Sequence, residues 1–96
     1  MSEQAPARRR QSYLVEHYRP GLSAAELERA ARRVRDAIGE LQREGEPVRF
    51  LHSTIVAADE SLLCVVEAAS EELVRAAYTR ANVPYERISV ALTESP

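Results

Sequence analysis

A small set of turn and cap residues cuts the chain into six segments, and the hydrophobic period changes from one segment to the next in a fixed order. The breaks are Pro20-Gly21, Gly45 with Pro47, the stretch Ala58-Asp59-Glu60-Ser61, Ser70, and Asn82 with Pro84. "SYLVEHY", residues 12–18, is β-rich and ends at the first turn signal. Ser23 and Glu26 then form a capping box, with Leu22 and Leu27 placed to staple across it. Leu27, Ala30, Val34, Ile38 and Leu41 recur at helical spacing, while Arg32, Arg33, Asp36 and Glu40 fall on a solvated face. "VRFLHSTIV" and "LLCVVEA" read as a hairpin joined through Ala58 to Ser61. Ser70 caps a second helix with Glu71 and Glu72 in its first turn. Its predicted stripe is Leu73, Ala77 and Ala81, flanked by Val74 and Tyr78. Asn82 suits a left-handed C-terminal residue, and Pro84 forbids continuation. "ERISVALT", residues 86–93, alternates as a half-buried strand.

The order β-α-β-β-α-β specifies an α+β, ferredoxin-like split βαβ arrangement. Right-handed crossovers place the first and third strands centrally in a four-stranded antiparallel sheet, with both helices on one face. The other face has no cover within the chain, and Leu14, Tyr18, Phe50, Leu63 and Val65 are candidates to lie on it. An uncovered apolar sheet face is economically closed by a second copy, which predicts a face-to-face homodimer, a dimeric α+β barrel enclosing a cavity.

Composition narrows the partners. The 96 residues suffice for one core, expected over 12–96, behind an Arg-rich tail over 1–11 expected to be disordered. Thirteen basic and fifteen acidic residues leave a net charge of −2, which argues against nucleic acid as the main partner. Every basic residue is arginine, so Schiff-base and phosphate-loop lysines are ruled out. No apolar run matches a membrane span or a secretory signal, and the single cysteine builds no internal disulfide, so a cytoplasmic address is expected.

The hairpin carries the chemistry-bearing residues. Side chains alternate faces with period two, so Cys64 and Glu67 point to opposite faces of a regular strand. A two-residue Asp59-Glu60 turn would set Ala58 opposite Ser61, His52 opposite Glu67, and Cys64 opposite Ile55. Cys64 then lies in small apolar company and reads as core. His52, Glu67, Thr54 and Phe50 share the open face. On the first strand Tyr13 and Val15 suit the core, which puts Glu16 and Tyr18 on the open face as well. His17, at the strand's end beside Arg19, is expected at the surface.

"YLVE" (residues 13–16), "LHS" (51–53), "CVVEA" (64–68) and "ANVPYERIS" (81–89) together resemble a family of small ferredoxin-like proteins from actinobacteria. That family is known as a domain of unknown function and includes a nickel-binding protein. The sequence departs from its pattern at Val66, where an aromatic is common, and at Asn82, which replaces glycine. The resemblance implies the same fold, dimerisation and binding of a divalent transition metal.

Imidazole and carboxylate oxygens suit borderline ions such as Ni(II) or Zn(II). The expected site is therefore His52, Glu67 and Glu16 on the open face, with nickel favoured. No HExxH or paired CxxC motif is present, so the expected site is spatial rather than local. The same atoms allow a cofactor-free isomerase, cyclase or oxygenase working on a small apolar substrate in the dimer cavity. A non-catalytic interaction module is the third reading. No residue is assigned a catalytic role.

Overall fold

The computed structural model describes residues 10–92, and its elements follow the expected order. They are β1 (Gln11–Tyr18), α1 (Ala24–Arg43), β2 (Val48–Val56), β3 (Ser61–Ala68), α2 (Glu71–Ala81) and β4 (Arg87–Ala91). Most of the expected Arg-rich tail lies outside the described residues. Gln11, assigned to that tail, is the first residue of β1. Among the described residues no helix is long and apolar enough to cross a membrane.

The sheet order is β2-β3-β1-β4 with every neighbouring pair antiparallel, so β1 and β3 are central as expected. α1 starts where the capping box predicts. Ser23 Oγ accepts from the Glu26 amide at 3.2 Å, and Glu26 Oε1 accepts from the Ser23 amide at 2.8 Å. Ser70 caps α2 through its hydroxyl alone, which accepts from the Leu73 amide at 3.2 Å. Asn82 takes the left-handed conformation at φ 57° and ends α2.

One face of the sheet builds the core. Tyr13, Val15, Leu62, Cys64, Val66 and Ala68 pack beneath Leu27, Val34, Ile38 and Leu41 of α1 and Val74, Ala77 and Tyr78 of α2. Each fully buried Leu or Ile contributes roughly 1.5–3 kcal/mol, which holds a helix of this length more firmly than intrinsic propensity does. The stripes are rotated slightly from the expected ones. Ala31 and Ala37 are buried on α1 with Ala30 at the margin, and Val74 and Tyr78 replace Leu73 and Ala81 as the deepest residues of α2. α2 packs against both α1 and β3, so two neighbours draw its buried face round toward Val74 and Tyr78.

Two local features correct the expected hairpin. Ala57–Asp59 form a single 3-10 turn and Glu60 is left-handed at φ 52°, so the connection is longer than two residues. Val56 therefore faces Ser61, and His52 faces Val65 rather than Glu67. A second irregularity falls between Phe50 and His52, where Leu51 bulges out of the ladder. The extra residue inverts the alternation upstream of it. Phe50 thus pairs with Val66 and packs on the core, not on the open face, and Arg49 faces Glu67.

Candidate metal centre on the open sheet face

The open face is read off the pairing in rows across the strands. Thr54, Leu63, Glu16 and Arg87 form one row, His52, Val65, Leu14 and Ser89 the next, and Arg49, Glu67, Ser12 and Ala91 a third. His52 and Glu67 stand on neighbouring strands one row apart, a diagonal spacing of about 7–8 Å in a regular pair. Glu16 lies one row the other way and two strands over, roughly 10 Å or more from His52 at the usual strand spacing. All three share the expected face. Among the described residues, however, no three His, Cys, Asp or Glu side chains gather closely enough to hold a metal ion.

The two carboxylates are already engaged by arginine. Glu16 Oε2 accepts from Arg87 Nε at 2.8 Å and lies 2.8 Å from its Nη2. Glu67 Oε1 lies 3.5 Å from Arg10 and 3.7 Å from Arg49. These pairs are largely solvent-exposed and therefore weak, so a ligand of higher charge can compete for the oxygens. His52 is exposed, and its row neighbours Val65 and Leu14 are half-buried in a face that no helix covers. Tyr18, on the same face, is 53% exposed.

His17 corrects the surface placement expected for it: only 2% of the residue is exposed. Its Nδ1 lies 2.9 Å from the Pro84 carbonyl, which can only accept, so Nδ1 carries the proton. Nε2 is then the acceptor, and the Tyr78 hydroxyl donates to it at 3.4 Å. Burial holds the imidazole below its ordinary pKa against the opposing Pro84 bond, and the nearby Arg19 charge lowers it further. The pKa of Tyr78 is itself raised, chiefly by burial. The parity signal was present in the sequence, because His17 shares a face with Tyr13 and Val15. The acceptor on Pro84 is 67 residues away along the chain and left no local trace.

Cys64 is fully buried, as expected, and faces Ser53 rather than Ile55. Burial pushes its thiol up to about 11, with the Tyr78 hydrogen bond opposing. Thiolate chemistry at neutral pH is thereby suppressed. Cys64 contributes packing, not a metal ligand on the open face.

Comparison with known proteins follows the same outline. SCO4226 from Streptomyces coelicolor A3(2), a crystal structure, shares the fold at a TM-score of 0.67 and 19% identity, covering 88% of this chain and 99% of that one. No curated protein matches the chain at a significant level. Residues 13–90 match the family described as nickel responsive protein, SCO4226-like. Because that match spans nearly the whole of the folded region, the chain belongs to the SCO4226-like family of nickel responsive proteins.

Proposed function

We propose that this protein binds a divalent transition metal, nickel foremost, on the open sheet face, with His52 as the imidazole donor and Glu67 and Glu16 as carboxylate donors. The observation that carries the reading is an exposed histidine on a sheet face no helix covers, in a chain whose family is described as nickel responsive. Imidazole with carboxylate is a donor set suited to Ni(II).

One chain does not complete that set, because its three donors stand apart and its carboxylates are paired with arginines. The site is therefore shared between two copies packed face to face. Leu14, Leu63, Val65 and Tyr18 provide apolar surface for such packing, and two-fold symmetry doubles every donor near the axis. Bound nickel would neutralise the carboxylates in place of Arg87 and Arg49.

Calorimetric titration of metal-free protein, free of any histidine-rich tag, with Ni(II) and Mg(II) tests the reading. Ni(II) is expected to bind saturably to the wild type and to lose its affinity in His52→Ala. Magnesium is expected to bind poorly, since it demands hard oxygen ligands in near-octahedral array. Affinity should fall with acid, because protons compete for the imidazole nitrogen. Equal nickel binding by wild type and His52→Ala, or none by either, would contradict the proposal.

A further inference from the structure

On the helix side of the sheet, away from His52, a hollow of about 290 Å³ opens between the start of α1, the end of β1 and the 82–84 segment. Its size is at the small end of the range for ligand pockets. The floor is mostly apolar: Leu27, Leu62 and Val83 are buried there beside the His17 imidazole, and Leu22 and Ala30 are half-buried at its margin. The rim is cationic. Arg19, Arg29 and Arg33 line it together with a single carboxylate, Glu26.

One oxygen of that carboxylate is engaged in the helix cap, and its charge acts on neighbouring Arg29. Glu26 Oε1 accepts from the Ser23 amide at 2.8 Å and closes the capping box. Among the described residues none of the three arginines is in an ion pair. Arg33 is also held in place. Its Nη2 donates to the Asn82 carbonyl at 2.8 Å and its Nε to the Ala81 carbonyl at 3.3 Å. Two of the five N–H groups of a guanidinium are thus used, and the remainder of the planar fork is left to meet a ligand with little further loss of freedom. The 82–84 wall is fixed from below as well, since the Pro84 carbonyl accepts from His17.

We propose that this hollow binds a small organic carboxylate with an apolar body, its carboxylate held by Arg29 and Arg33 and its body resting on Leu27, Leu62 and Val83. Arginine meets a carboxylate through paired, charge-assisted hydrogen bonds, and an anion among three cationic side chains relieves their mutual repulsion. An inorganic anion would leave the apolar floor unused, and a neutral body would leave the arginines unpaired. The metal reading does not depend on this site, which lies on the other side of the sheet.

Benzoate is a suitable probe. It is titrated into isotope-labelled full-length protein while the backbone amides of Leu22, Ala30 and Val83 are followed by NMR. Benzamide supplies the same body without charge, and inorganic phosphate supplies charge without the body. Saturable benzoate shifts confined to the hollow are expected, with neither control reproducing them. Arg29→Gln, on the exposed side of α1, should weaken benzoate about tenfold while leaving the spectrum otherwise folded. Arg33→Gln should weaken it too, but it also removes the bonds that close α2, so Arg29→Gln is the deciding variant. The proposal is overturned by an absence of saturable shifts at millimolar benzoate, by unchanged affinity in Arg29→Gln, or by equal binding of benzamide or phosphate.

Discussion

Lowering the pH from about 7.5 to 5 should destabilise this protein through His17, and the size of the effect is bounded. The residue is 2% exposed, and burial is the largest influence on its imidazole, lowering its pKa in the fold. A base whose folded pKa is depressed takes up its proton more readily in the unfolded chain. The stability it confers is therefore fully present above its unfolded pKa of about 6.5 and is lost as pH falls toward the folded value. One differential proton gives a slope no steeper than about 1.4 kcal/mol per pH unit. Tyr78, which contacts the imidazole, does not titrate in that window because burial raises its pKa. Urea unfolding measured at intervals from about pH 7.5 to 5 reads the slope directly. His17→Gln should remove most of it. That change should also lower stability at neutral pH by about 1–3 kcal/mol, because it disturbs the buried bonds to Pro84 and Tyr78. A flat wild-type profile, or a slope that survives in His17→Gln, would refute the reasoning.

Other perturbations test the packing. Cys64 should react slowly with thiol reagents in the native protein and readily after denaturation, and Cys64→Ala should lower stability by about 1 kcal/mol; rapid native labelling would mean the strand faces are misassigned. Ser23→Ala should lower stability by about 1 kcal/mol in the same urea assay, since the Glu26 amide loses its acceptor. An unchanged midpoint there would show that water substitutes fully for the cap.

Most of the fold was readable because its signals are local. A capping box at Ser23, a cap at Ser70 and a left-handed residue at Asn82 set the helix ends, and strict alternation in β3 set its faces. Face assignment on β2 survived a wrong turn for a simple reason. The 3-10 turn at Ala57–Asp59 shifts the partner of His52 by two residues, from Glu67 to Val65. A shift of two preserves parity, so His52 stays on the open face while losing its expected neighbour. The bulge at Leu51 is a shift of one, and it moved Phe50 to the core. Nothing in "RFLHS" announces that bulge, since every residue there suits a regular strand. His17 was missed because its burial depends on the arrival of Pro84 and Tyr78 from the far end of the chain. The proximity of His52, Glu67 and Glu16 was a register argument, and register is what the turn and the bulge altered.

The most direct test of the metal reading is crystallographic. Crystals of tag-free protein grown with Ni(II) can be measured at the nickel absorption edge, where anomalous difference density reports the metal by itself. The account predicts a peak between the open faces of two copies, within about 2.1 Å of a His52 ring nitrogen, the distance typical of a first-row metal on imidazole. It also predicts that Glu16 or Glu67 will have left its arginine partner to reach the ion. A nickel peak remote from His52, or a nickel-saturated protein whose open sheet faces remain apart, would contradict it.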